Sequence, residues 1–155
     1  MKEKLIYKRP GTPGFGAHRD SAYNVVKTGV PVSEFVTIYI AIDQANGQNG
    51  AVEFYPDLRN VNLAAPPGEP RDVDERELLG KDSFRPDVKP GDLIIFDGVI
   101  PHRSAHNHSD YPRRTYMITY VPARYPKARK KYYLERRREQ EDVRRHQVAG
   151  PCFFE

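Results

Sequence analysis

Within Ala17-His18-Arg19-Asp20, an imidazole and a carboxylate stand two residues apart, and both are side chains that ligate transition metals. In an extended segment, residues two apart project to the same side, so His18 and Asp20 can face one ion. His-x-Asp by itself is a weak signal, because an exposed loop histidine arises often by chance. With a second imidazole, the set would occupy one face of an octahedron. Three positions would stay open, an arrangement suited to non-haem Fe(II) and O2 chemistry. The chain has 5 histidines, and besides His18 these are His102, His106, His108 and His146. His102 comes just after a run that reads as a buried strand. His106 and His108 fall in the short polar loop Ala105 to Asp110, of the kind that ordinarily meets solvent.

Eleven residues past His102, Arg113 opens a strand with Thr115 on the same face. Guanidinium is planar, permanently charged and able to grip a carboxylate through two parallel hydrogen bonds, which lysine cannot reproduce. It is the partner that a dicarboxylate cosubstrate needs, and a hydroxyl from Ser104 or Thr115 could add another bond. Thr37 and Tyr39 share the strand face opposite an aliphatic one. They could line a cosubstrate or substrate pocket, or simply pack. Lys4 and Lys8 alternate with Leu5 and Tyr7 and could reach an acidic ligand, although exposure is the default for lysine.

The elements that must position these residues are mostly short strands. Residues 4 to 8 read as a strand, followed by a loop over Arg9 to Gly16 that delivers His18. Glu34 to Asp43 alternates Val36, Ile38, Ile40 and Ile42 with Thr37, Tyr39 and Ala41, the period of a strand. Asn46-Gly47-Gln48-Asn49-Gly50 is a strong turn signal, and Ala51 to Tyr55 reads as the returning arm of a hairpin. Pro56 to about Asp82 is a long Pro-rich loop, in which Asp72 to Leu79 could form a short helix. The turn Lys89-Pro90-Gly91-Asp92 opens a buried strand, Leu93 to Phe96. A further short strand carries His102 and Ser104, and Arg113 to Val121 is the last strand. From Pro126 the residues change to those of a helix followed by a tail. Many short strands with Gly and Pro turns, then one helix, predict a β-sandwich or jelly roll.

The 155 residues suit one hydrophobic core, and 38% hydrophobic content is enough for folding. No apolar run approaches the roughly 20 residues that span a bilayer, and the N-terminus has no signal-like apolar stretch, so a soluble, intracellular protein is expected. The lone Cys152 excludes an intrachain disulfide and is expected to be inert. The net charge of +4 raises the question of nucleic acid. Much of the positive charge lies between Arg124 and Arg145, where Glu135, Glu139, Glu141 and Asp142 interleave with it, as on a solvated helix. No nucleic-acid partner is therefore expected.

Taken together, several motifs resemble one family. His18-Arg19-Asp20, the segment Ala41-Ile42-Asp43 to Asn49-Gly50, Gly91-Asp92 before a strand, and Pro101-His102-Arg103-Ser104 through Asn107, Ser109 and Arg113 are similar to the phytanoyl-CoA dioxygenase-like Fe(II)/2-oxoglutarate oxygenases. The resemblance runs from about Ile6 to Val121. It implies a mainly β fold, a double-stranded β-helix (cupin-like jelly roll) over residues 1–125, with residues 126–155 as the C-terminal helix and tail of the same domain. It further implies His18, Asp20 and His102 as iron ligands and Arg113 as the anchor for the far carboxylate of 2-oxoglutarate. Arg114 lies on the opposite strand face from Thr115. The implied reaction uses Fe(II), 2-oxoglutarate and O2 to hydroxylate or otherwise oxidise a small molecule, releasing succinate and CO2. Asp20 stands where the related halogenases have a small residue, which favours hydroxylation, desaturation or cyclisation over halogenation.

Family members carry a further region ahead of the His-x-Asp motif, whereas seventeen residues precede His18 here. The expectations are a fragment, a minimal version or a chain that needs a partner. The aliphatic face of Val36, Ile38, Ile40 and Ile42 would then be covered by the C-terminal helix or by a second copy. The alternative reading is a truncated, non-catalytic metal-binding jelly-roll module.

Overall fold

Period-two alternation decides which side of each strand faces inward. The computed structural model describes residues 2–59, 61–63 and 73–146, apart from the side chains of Tyr23, Val26 and residues 143–146. Among the described residues, seven strands form two antiparallel sheets. β1 (Lys2–Lys8), β7 (Arg113–Tyr120), β3 (Val36–Ala41) and β5 (Leu93–Asp97) lie in that order in the larger sheet. β2 (Phe15–His18), β6 (His102–Ser104) and β4 (Val52–Phe54) make the smaller one. Along β3, Thr37, Tyr39 and Ala41 are buried while Val36 is exposed. On β7 the buried set is Arg113, Thr115 and Thr119. The main core joins Tyr39, Ala41 and Phe96 of the larger sheet to Phe54 of the smaller one, with the Phe54 and Phe96 rings 5.0 Å apart. Burying each phenyl ring contributes about 1.5 to 3 kcal/mol.

Two α-helices lie among the described residues. α1 (Asp20–Thr28) stops at Gly29, whose φ of 72° is the left-handed conformation that glycine adopts without strain; its N–H donates to the carbonyl of Val25 at 2.8 Å. α2 (Ala128–His146) packs against α1, and Arg129 reaches Glu3 of β1. The positive stretch of α2 is partnered: Arg138 pairs with Glu135 and Lys27 of α1 pairs with Glu139. No helix among the described residues is long and apolar enough to cross a membrane.

Four expectations are corrected. The segments 34–43 and 51–55 do not form a hairpin. β3 pairs with β5 and β7, while β4 pairs with β6, because the turn at Asn46 to Gly50 carries the chain from one sheet to the other. Phe15 and Gly16, read as the end of the loop, already belong to strand β2, and Asp20 begins a helix that the extended reading of His-x-Asp did not include. β5 is buried on one face only, since Leu93 and Ile95 are exposed and Phe96 is not. Helix α2 does not bury the outer aliphatic face, because Val36 and Ile42 remain exposed. The loop after β4 contains 3-10 turns at Pro56–Leu58 and Glu75–Leu78. Cys152 and the rest of the tail beyond His146 lie outside the described residues, as do residues 60 and 64–72 of that loop.

Candidate metal centre

His18 closes β2 directly opposite His102, which opens β6. Strand pairing thus brings together two imidazoles that are 84 positions apart in the chain (102 − 18), with ring centroids 4.3 Å apart. His102 is buried among Phe54 and Phe96 as well, with centroids at 5.9 and 5.1 Å. Each Nδ1 faces a backbone carbonyl, Gly16 at 2.9 Å for His18 and Ile100 at 3.0 Å for His102. A carbonyl can only accept, so this network assigns the proton to Nδ1 in both rings and leaves each Nε2 lone pair for a metal.

Asp20 supplies the carboxylate from the first turn of α1, where the helix dipole favours negative charge. The helix start is fixed by the Ser21 N–H, which donates to the carbonyl of Gly98 at 2.9 Å. A Cβ at position 98 would come within 2.7 Å of the Phe35 Cβ, so glycine allows this close approach. The ligating atoms of His18, Asp20 and His102 all lie within 4.8 Å of one another. They are the one such group of three among the described residues. Two imidazoles and a carboxylate, with no fourth ligand among the described residues, could hold a divalent first-row metal with positions left open.

Burial lowers the His18 pKa to about 3, reinforced by the neighbouring His102 and opposed by Asp20. For Asp20, burial alone would raise the pKa. Lys2, the two imidazoles and the Thr37 hydroxyl outweigh it and hold the carboxyl well below the usual range. At neutral pH His18 is therefore neutral and Asp20 ionised, the protonation states that a cation requires of its ligands.

Thr37, fully buried, donates to Asp20 Oδ2 at 2.8 Å and orients the carboxylate. Thr37→Val removes that bond at nearly constant volume and is expected to weaken divalent-metal binding about 10- to 100-fold, while Thr37→Ser keeps near wild-type affinity. Calorimetric titration with Co(II) or anaerobic Fe(II) checks this. Equal affinities in all three proteins would remove Thr37 from the site.

The far end of the same inner face is cationic. Arg113 is 2% exposed, donates from Nη1 to Thr115 Oγ1 at 3.1 Å, and meets no carboxylate within salt-bridge distance among the described residues. Its Nε is buried and makes no hydrogen bond of good geometry; the same is true of the hydroxyl of Tyr39, which lies close enough to support the guanidinium electrostatically. Ser104, two residues along β6 from His102, is half-buried. Arg114 points outward and is paired with Asp43 through two hydrogen bonds of 2.8 and 2.9 Å. His106 and His108 stack on each other at 4.3 Å, and no third ligand joins them among the described residues. The side chain of His146 is outside the description.

Two neighbours, Lys2 and Asn24, escaped the sequence reading, and a third, Lys8, is buried where exposure was the default. Lys2 approaches Asp20 Oδ1 at 3.4 Å and Asn24 Oδ1 at 3.5 Å. Asn24 itself is buried on α1. Lys8, for which exposure was the default, is 4% exposed, because it shares the inner side of β1 with Lys2 and Ile6, while Lys4 is exposed. The four-residue alternation along β1 was the available signal for Lys8. The boundary residues Asp20 and Gly29 were the signal for α1.

The sequence model of the phytanoyl-CoA dioxygenase (PhyH) family matches residues 1–115. A methylphosphonate hydroxylase of Gimesia maris is 33% identical over 139 residues, covering 88% of this chain and 50% of that protein. A 2-aminoethylphosphonate dioxygenase from an uncultured bacterium is 30% identical, covering 88% of this chain and 51% of that protein. The chain thus spans about half the length of the curated relatives it matches. EctD from S. alaskensis, solved with 2-oxoglutarate and 5-hydroxyectoine, shares the fold with a TM-score of 0.64 and 23% identity over 79% of this chain and 44% of its own. The observed two-sheet architecture with its terminal helix is thus the double-stranded β-helix of that neighbour, and by the extent of the family match the chain belongs to the phytanoyl-CoA dioxygenase family.

Proposed function

We propose that the protein is an Fe(II)/2-oxoglutarate-dependent oxygenase that oxidises a small molecule with release of succinate and CO2. The observation that carries the reading is the convergence of His18, Asp20 and His102, whose ligating atoms lie within 4.8 Å of one another while each Nδ1 is engaged by a backbone carbonyl. In this reading the three side chains hold Fe(II). When bound, the ion and 2-oxoglutarate together supply the means of activating O2 for oxidation of an unactivated C–H bond. Arg113, with Ser104 and Thr115, grips the far carboxylate and so aims the 2-oxo end at the metal. Ser104 is displaced from His102 by two strand residues, roughly 7 Å, which suits a five-carbon diacid. Thr37 orients Asp20, and the Phe54 and Phe96 rings keep water away from the back of His102.

For the substrate, the reading takes its class from the two relatives named for phosphonates. Lys2, 3.4 Å from Asp20 Oδ1, lies at the metal end, and positive charge there suits a small anion such as an organophosphonate. The test is aerobic incubation with Fe(II), 2-oxoglutarate and either methylphosphonate or 2-aminoethylphosphonate, with succinate as the readout. Metal-dependent succinate formation that rises with a phosphonate is expected. A second reading, a metal-binding module without catalysis, fits the same three ligands. That reading predicts iron binding with no succinate under any of these conditions.

A further inference from the structure

The pairing of β2 with β6 is not regular. Phe15 lies opposite Ser104 and His18 opposite His102, so β2 carries one extra residue between these two pairs. Such a bulge decides where His18 points, because side chains alternate between the faces of a strand. In a ladder running on from Phe15 without the extra residue, Ala17 would stand opposite His102 and His18 would turn to the outer face. The bulge reverses this. Ala17, fully buried, packs in a second core with Tyr55, Leu58 and Val73, while His18 meets His102.

A bulge is costly, since it disrupts the ladder locally and a buried N–H that leaves it needs another acceptor. Glu75 supplies one. Its Oε1 accepts from the Ala17 N–H at 3.2 Å, although 58 positions separate the two residues. Its Oε2 accepts from Arg103 Nη1 at 3.1 Å, and Arg103 directly follows His102 on β6. Arg103 is in turn tied to β4, with Nε donating to Glu53 Oε2 at 2.7 Å and the guanidinium 5.5 Å from the Tyr55 ring. One carboxylate thus joins the residue before His18 to the residue after His102. Its own place in the chain is held by Val73 and Leu78, which are buried in the same core as Ala17.

We propose that Glu75 is a positioning residue for the metal centre: by accepting from the Ala17 N–H it fixes the bulge that turns His18 toward His102. The inference rests on the oxygenase reading above through its three metal ligands. The position requires an acceptor, so an amide can take the place of the carboxylate, whereas an alkyl side chain leaves a buried N–H unsatisfied.

The test is Co(II) binding by the full chain, read by calorimetry and by proton NMR. Each imidazole bound through Nε2 gives one exchangeable Nδ1–H signal shifted far downfield by the ion, so wild type is expected to show two. Glu75→Ala is expected to keep one and to bind Co(II) about 10- to 100-fold more weakly. Glu75→Met also lacks a good acceptor and serves if the alanine variant does not fold; the same loss is expected of it. Glu75→Gln should keep both signals and near wild-type affinity. Two signals in Glu75→Ala or Glu75→Met, at any affinity, would overturn the assignment and leave the oxygenase reading standing, because a general loss of stability weakens binding without detaching one imidazole. Loss of a signal in Glu75→Gln would likewise overturn it. A wild-type protein that fails to show two such signals with Co(II) would overturn both.

Discussion

Asp20→Asn and His102→Ala each lose Fe(II) affinity by about 100-fold or more and form no succinate. The size of the effect follows from the ligand count. Removing a group that merely orients a ligand costs about 10- to 100-fold in metal affinity, and removing one of only three protein ligands must cost at least as much. Asp20→Asn keeps the shape of the side chain and its place at the start of α1, but it takes away the negative charge on which Lys2 and Thr37 converge. His102→Ala removes the imidazole whose ring packs on Phe54 and Phe96, so it also opens a cavity. Thermal melting of the metal-free proteins separates the two costs, since Asp20→Asn should fold while failing to bind iron. His106→Ala is the internal control. Its ring stacks on His108 away from the cluster, and its iron affinity should match wild type.

Arg113→Ala separates cosubstrate binding from metal binding. Truncating one partner of a buried charge pair costs about 2 to 5 kcal/mol, which corresponds to a roughly 30- to several-thousand-fold loss of 2-oxoglutarate affinity. Fe(II) affinity without cosubstrate should stay within about threefold of wild type, because Arg113 sits at the anchor end and touches none of the three ligands. Arg113→Lys should not restore binding, since an ammonium cannot make the two parallel bonds of the guanidinium. Calorimetry of each variant with Fe(II) alone, then with 2-oxoglutarate, reads both quantities. A parallel loss of metal and cosubstrate affinity would mean that Arg113 acts through the fold.

Much of this arrangement was legible in the sequence because strand alternation sorts residues by face. Arg113 and Thr115 point inward together, and Thr37 and Tyr39 do the same, as period-two reading predicts. The convergence of His18 with His102 was not visible locally, since it depends on β2 and β6 becoming neighbours. The family resemblance supplied it. Hairpin reasoning failed at Asn46 to Gly50, where a good turn signal marks a change of sheet instead of a return along the same one. The burial of Lys8 was missed because average lysine behaviour outweighed its register; opposite Arg113, with Gly50 leaving space for it, the ammonium is held inside. Helix α1 was missed because attention to His-x-Asp as an extended pair hid the helix that begins at its second member.

Three side chains from two strands and a helix start converge on one side of an inner face that also carries the inward-facing guanidinium of Arg113. Anaerobic addition of Fe(II) and then 2-oxoglutarate to the purified chain tests it most directly, through the visible metal-to-ligand charge-transfer absorption. The expected band needs both components, disappears in Asp20→Asn, and in Arg113→Ala forms only at much higher 2-oxoglutarate. A wild-type chain that binds neither component, or a band that persists at full strength in Asp20→Asn, would contradict it.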